Sequence, residues 1–226
     1  MIEMFDEVVD GLPVLHAAPA GKQGKPLPTL FFYHGFTSSK EVYSYFGYAF
    51  AKAGFRVILP EANLHGSRFN GDEAYRMAHF WNILRSNIDE LPAIYQHYQR
   101  QGLILDDRVG VCGASLGGMT TLGAKVRYPW IQAAASFMGS GYFESLSQTL
   151  FPPFDVKTVE DRQRLSAELG FLAEYDVSHE DRRRLIRDLA EHRLLEHIRF
   201  ETEASIGHKI TVSALDVGVQ FFSRHL

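Results

Sequence analysis

Cysteine is nearly absent: Cys112 is the one such residue in 226. No disulfide can form within the chain, which fits a reducing compartment and a fold held by its apolar core. Long apolar runs are missing as well. No stretch of about 18 apolar residues occurs, so no membrane-spanning helix is expected. The opening residues, MIEMFDEVVDGLPV, carry acids instead of the basic start and apolar run of a secretory signal, so the expected location is the cytoplasm. There is no excess of positive charge. The formal net charge is −4 with acids and bases mixed, which argues against a nucleic-acid partner. The most basic run, Arg182-Arg183-Arg184, sits among acids and reads as a solvated helix face. Repeats and low-complexity segments are absent, and nothing marks an oligomeric state.

What remains is ordinary globular composition, 46% hydrophobic and 22% charged, enough for one domain over 1–226 with a sizeable core. Short apolar runs alternate with helical patterns. Thr29–Tyr33 (TLFFY), Phe55–Leu59 (FRVIL), Arg108–Cys112 (RVGVC) and Ile131–Met138 (IQAAASFM) read as buried strands. His197–Thr202 (HIRFET) is a weaker one. Met77, Trp81, Leu84, Ile88, Leu91, Tyr95 and Tyr98 form one helical stripe. Its expected start is a cap at Asn70 with Glu73, and Pro92 is expected to kink or break it. A last helix places Val212, Leu215, Val219 and Phe222 on one face. The alternation predicts an α/β fold with a doubly wound, mostly parallel sheet. Residues 142–180 interrupt it with Phe151-Pro152-Pro153-Phe154 and charged helical sequence, and read as a small helical cap.

The chemistry is carried by short motifs in context. Gly113-Ala114-Ser115-Leu116-Gly117 fits G-x-S-x-G. It follows the strand RVGVC and opens a helix over Leu116–Arg127, so Ser115 sits at the apex of a strand–turn–helix, as a nucleophile does. A Gly-rich turn with an incidental serine is the plainer alternative. His34-Gly35-Phe36-Thr37 ends the strand TLFFY, where ligands of open α/β sheets bind. The Phe36 N–H together with the Leu116 N–H would make an oxyanion hole. His208 follows the last strand and precedes the last helix, and is the candidate general base. His65, in the loop after FRVIL, is the runner-up. His16, His79, His97, His179, His192, His197 and His225 fall on elements or near the ends. Cys112 reads as a small buried hydrophobe. The aromatics Phe36, Phe69, Trp81, Phe143, Phe151 and Phe154 are candidates for an acyl pocket or for core.

The segments YHGFTSSKEVYSYF, LHGSRFNGDEAYR, GASLGGMT, MGSGYF, LFPPF and GHKIT together resemble the small bacterial carboxylesterases of the dienelactone-hydrolase-like branch of the α/β-hydrolase superfamily. The resemblance covers nearly the whole chain. It implies an eight-stranded type of sheet with a small helical cap and no metal or organic cofactor. The implied activity is that of a serine hydrolase cleaving short-chain carboxylic esters through an acyl-enzyme. By position it implies Ser115 as nucleophile, His208 as base, and Phe36 and Leu116 as oxyanion donors. The order nucleophile first, histidine last agrees with that superfamily.

One part of the pattern is missing. The acid that orients the histidine belongs on a strand and loop between the cap and the histidine strand, and no such run exists between Gly141 and His197. Gly170–Val177 (GFLAEYDV) reads as helix. The fold is therefore expected to lack one βα unit before the last strand, and the triad acid is unknown. Glu144, Asp155, Asp176 and Glu203 are substitutes to be weighed. A thioesterase, amidase or peptidase shares the acyl-enzyme chemistry. A non-catalytic or weakly active protein that lost its acid is the competing class.

Overall fold

The computed structural model describes residues 1–177 and 208–226. Six strands lie in one sheet: β1 (Ile2–Val9), β2 (Leu12–Pro19), β3 (Leu27–Tyr33), β4 (Arg56–Pro60), β5 (Ile104–Ala114) and β6 (Ala133–Phe137). Their spatial order is β1-β2-β4-β3-β5-β6. β1 and β2 pair antiparallel and β2 joins β4 antiparallel, while β4, β3, β5 and β6 run parallel. The sheet is thus mostly parallel, as expected. The polar turn of residues 20–26 links β2 to β3. The expected strand His197–Thr202, the run Arg182-Arg183-Arg184 and candidate acid Glu203 lie outside the described residues.

Helices cover both faces: α1 (Ser44–Lys52), α2 (Glu73–Ala78), α3 (Phe80–Arg100), α4 (Leu116–Arg127), α5 (Phe143–Ser147), α6 (Val159–Glu168) and α7 (Val212–His225). Alternation along β3 divides the core between them. Phe31 and Tyr33 join Trp81, Ile88, Leu91 and Met119 of α3 and α4 on one face. Leu30 and Phe32 join Phe46, Phe50 and Phe222 of α1 and α7 on the other. Side chains two apart share a face in a strand, and a strand covered on both sides reads as a continuous apolar run.

Four helix expectations are corrected. The cap is Asp72, whose carboxylate accepts the Tyr75 N–H at 2.9 Å, while the Asn70 side chain accepts the Asp72 N–H instead. The break falls at His79, between α2 and α3, and leaves Met77 40% exposed, off the buried stripe. Pro92 does not break the helix; α3 runs through it for 21 residues. Proline removes the donor that would pair with the carbonyl of Ile88. The Tyr128 hydroxyl donates to that carbonyl at 3.0 Å, so it is not left unpaired. On α7, Val212 is 76% exposed while Phe222 is buried, so the apolar face begins after Val212.

Residues 142–176 form an excursion whose two ends meet. The Val177 N–H donates to the Gly141 carbonyl at 2.8 Å. The Trp81 indole N–H donates to the Leu150 carbonyl at 2.9 Å, and the Tyr175 hydroxyl to Asp89 at 2.8 Å. These bonds dock the excursion on α3, and bring the Phe151 ring to 5.2 Å from that of Phe36.

Candidate active site

The site is built where β5 turns into α4. Ser115 takes φ 55 and ψ −111, a conformation that crowds any side chain and persists only where the surroundings enforce it. They do so through the backbone: the Ser115 N–H donates to the Phe137 carbonyl at 2.8 Å, and the Ser115 carbonyl accepts the Met119 N–H at 2.9 Å. Gly117 is needed because a Cβ there would collide with the carbonyl of Tyr33 on β3. The elbow is thus wedged between two neighbouring strands. Cys112 is wholly buried on β5, and burial pushes its thiol well above its ordinary pKa. That removes it as a nucleophile.

The segment before α7 brings His208 to Ser115, with Nε2 2.8 Å from Oγ. The hydroxyl is in reach of a proton acceptor. Thr211 caps α7, its hydroxyl accepting the Ala214 N–H at 3.1 Å. Histidine–carboxylate pairs among the described residues are His16–Glu7, His34–Glu61 and His97–Glu7; none involves His208. Glu144 stands in the exposed first turn of α5, where its N–H is taken by the Asp176 carboxylate at 2.9 Å. Asp155 pairs with Lys157 at 2.8 Å on the surface. The carboxylates of Asp155 and Asp176 are thus engaged elsewhere, and no hydrogen bond or ion pair among the described residues joins Glu144 to His208.

The loop after β3 lies beside the elbow. Leu116 is the first residue of α4, so its N–H has no acceptor within the helix. Phe36 lines the cavity that contains Ser115 and His208. That cavity, of about 140 Å³, is completed by Gly35, Tyr43, Tyr45, Met138, Lys209 and Ile210. Tyr43 hydrogen-bonds the Gly35 backbone, and burial raises its pKa. Sequence reasoning missed Tyr43, Tyr45 and Met138. The tyrosines sit in the same quoted segment as Phe36, and that proximity was the available signal. Of the proposed acyl-pocket aromatics, Phe36 lines the cavity. Phe151 packs on Phe36 and Phe80, Phe69 lies under the Arg76 guanidinium, and Trp81 and Phe143 are core.

His65 is buried in the loop after β4, with both ring nitrogens engaged. Nε2 takes the Thr37 N–H at 2.9 Å and Nδ1 faces the Asn63 carbonyl at 2.8 Å. Burial is the main cause holding its pKa down to about 4. His34 is likewise buried, with Nδ1 2.8 Å from the Gly35 carbonyl and Nε2 accepting the Ala62 N–H at 3.1 Å. Among the described residues no cluster of side chains could hold a metal ion, and no helix is long and apolar enough to cross a membrane.

No protein-family model matches the chain. It is 39% identical to esterase YjfP of Escherichia coli (strain K12), over 100% of both chains. That alignment occupies 249 positions, whereas this chain has 226 residues, so the relative has residues where this chain has none. Among solved structures, TT1662 from Thermus thermophilus superimposes with a TM-score of 0.66 at 18% identity, over 99% of this chain and 98% of that one. A protein from Klebsiella pneumoniae subsp. pneumoniae MGH 78578, proposed to be a dienelactone hydrolase, gives a TM-score of 0.53 at 20% identity over 62% and 61% of the two chains.

Proposed function

The chain belongs to the bacterial esterases of the α/β-hydrolase superfamily, and from that premise we propose that it cleaves short-chain carboxylic esters through an acyl-enzyme on Ser115. The observation that carries this reading is the 2.8 Å approach of His208 Nε2 to Ser115 Oγ, at a serine held with φ 55. His208 takes the hydroxyl proton as Oγ attacks the ester carbonyl. The resulting oxyanion is held by the N–H groups of Phe36 and Leu116. Collapse expels the alcohol, which receives the proton from His208. Water, deprotonated by the same imidazole, then hydrolyses the acyl-enzyme and frees the acid. No metal or organic cofactor is needed for these steps. A cavity of about 140 Å³ favours acyl groups of about two to six carbons over long chains, and the excursion of residues 142–176 acts as its cap. The lone, buried Cys112 fits a reducing, cytoplasmic setting.

On this reading weak activity is expected. No carboxylate among the described residues serves His208, and the alignment shortfall against YjfP fits loss of the βα unit that carries the acid. An unassisted histidine loses about 10⁴ in kcat in the serine-protease example, yet catalysis above water survives. We expect kcat on p-nitrophenyl butyrate below the ordinary range of about 1–10³ s⁻¹. Covalent labelling by a fluorophosphonate probe, lost in Ser115→Ala together with turnover, tests the nucleophile. Full turnover in Ser115→Ala overturns the reading. Ordinary turnover in the unaltered protein, lost in Glu203→Gln, overturns the missing acid alone.

A further inference from the structure

Thr37 follows Phe36 and takes φ 61. Threonine is β-branched, and its side chain crowds the backbone in that left-handed region, so something outside the loop must hold it there. The Thr37 N–H is held by His65 Nε2 at 2.9 Å. An N–H can only donate, so Nε2 is unprotonated. The Asn63 carbonyl, 2.8 Å from Nδ1, can only accept, so the proton sits on Nδ1. The ring is neutral, with neither nitrogen free to act as a base. It is also fixed in place: it is fully buried, with the His34 ring at 5.2 Å and the Phe36 ring at 5.3 Å. The same loop after β4 contributes a second tie on the other side of Phe36, since the Ala62 N–H reaches Gly35 through His34.

We propose that His65 is a positioning residue of the oxyanion hole: as the acceptor of the Thr37 N–H it locks the Phe36–Thr37 turn, and so aims the Phe36 N–H at the developing oxyanion. This rests on the serine-hydrolase reading above. Donors of this kind work because they are set before charge develops, and an error of about 1 Å in such a group can cost about 10²-fold in rate. Thr37 sits in a conformation its own residue disfavours and its N–H is held by a long-range side chain, so removing the acceptor lets that part of the turn relax. Substrate contacts in the ground state are unaffected, which places the effect on kcat.

The test compares His65→Leu with His65→Gln. Leucine fills the space without an acceptor; the glutamine amide oxygen can stand where Nε2 stands and does not titrate. His65→Leu is expected to lower kcat on p-nitrophenyl butyrate about 10- to 100-fold, short of the about 10²–10³ lost with a whole oxyanion donor, with KM little changed. Binding of a trifluoromethyl ketone, which forms an oxyanion on Ser115, should weaken in parallel. His65→Gln should restore most of both. Wild-type kcat in His65→Leu, or a Gln variant as impaired as the Leu variant, overturns the role. Ser115→Ala is run alongside: if it keeps turnover, the hydrolase reading fails and the role falls with it, whereas a dead Ser115→Ala with an unimpaired His65→Leu sinks the positioning role alone. Should His65→Leu not fold, nitrogen-15 NMR of the unaltered protein decides. A proton on Nδ1 and a hydrogen-bonded bare Nε2 support the role, and a proton on Nε2 overturns it.

Discussion

Strand β4 has a buried polar cluster at each end. At its start stands Arg56, wholly buried. Its Nε donates to His16 Nε2 at 3.1 Å and its Nη2 to the Lys25 carbonyl at 3.1 Å. It also donates to the carbonyls of Leu103 and Gln23. His16 in turn reaches Glu7 at 3.1 Å, and the Tyr98 hydroxyl donates to the same carboxylate at 2.8 Å. At the other end stand Glu61 and His65. Here one oxygen of the buried Glu61 carboxyl has no hydrogen-bond partner, while the other lies 3.0 Å from His34. Thr37 and Leu64 nearby hold φ of 61 and 56. The first cluster satisfies every branch of a buried guanidinium and ties the turn before β3 to the one before β5. The second leaves a polar atom unpaired and backbone strained, and it is the one that borders the site. Strain of this kind persists where the surroundings enforce a reacting geometry, whereas the Arg56 cluster leaves its guanidinium fully paired.

The largest effect should come from the first cluster. Arg56→Met strands the carbonyls of Gln23, Lys25 and Leu103 and leaves His16 Nε2 without its donor. Unfolding free energy should fall by about 3–5 kcal/mol, the usual result of removing one partner from a buried charged network. Chemical denaturation measures this, and activity per folded molecule should hardly change.

Acid should weaken both ends. The pKa of His16 is lowered to about 4, chiefly by burial and then by Arg56 against the opposing pull of Glu7, and that of His65 is lowered to about 4 mainly by burial. Both lie below the unfolded value of 6.5. Between those values the unfolded chain binds protons that the folded one refuses, so stability falls as pH drops through about 6.5 to 4. The sum is on the order of 3 kcal/mol per imidazole. Denaturation midpoints at pH 7 and pH 5 measure the slope, and His65→Gln should remove its own share.

A control away from β4 is Tyr128→Phe, which deprives the Ile88 carbonyl of the donor that compensates Pro92. The expected loss is about 1–3 kcal/mol, that of a buried unpaired carbonyl, read as a lower melting temperature. The smallest effect should be that of Glu61→Gln. One carboxyl oxygen is already unpaired, so stability should move by less than about 1 kcal/mol. A loss as large as that of Arg56→Met would erase the distinction between the two ends.

Much of this was legible in the sequence. The buried runs TLFFY, FRVIL and RVGVC placed β3, β4 and β5 to within a few residues, since a strand covered on both faces needs apolar side chains at successive positions. The run G-A-S-L-G marked the elbow because the tight turn itself demands the glycines. Asp72 and Asn70 are equally good capping residues, and the sequence alone does not rank them.

What the chain by itself determined is therefore local: which runs become strands and helices, where the serine turn falls, and that His208 comes after it in order. What only the tertiary structure decided is which groups meet across distance. The Thr37–His65 bond joins residues 28 apart, and the Tyr128–Ile88 bond that lets a helix pass through Pro92 joins residues 40 apart. Propensity and periodicity depend on neighbours along the chain, so a short segment reveals them. The partner of a buried donor or acceptor is set by how whole elements pack, so neither the neutral acceptor role of His65 nor the continuity of α3 could be read from the residues around them.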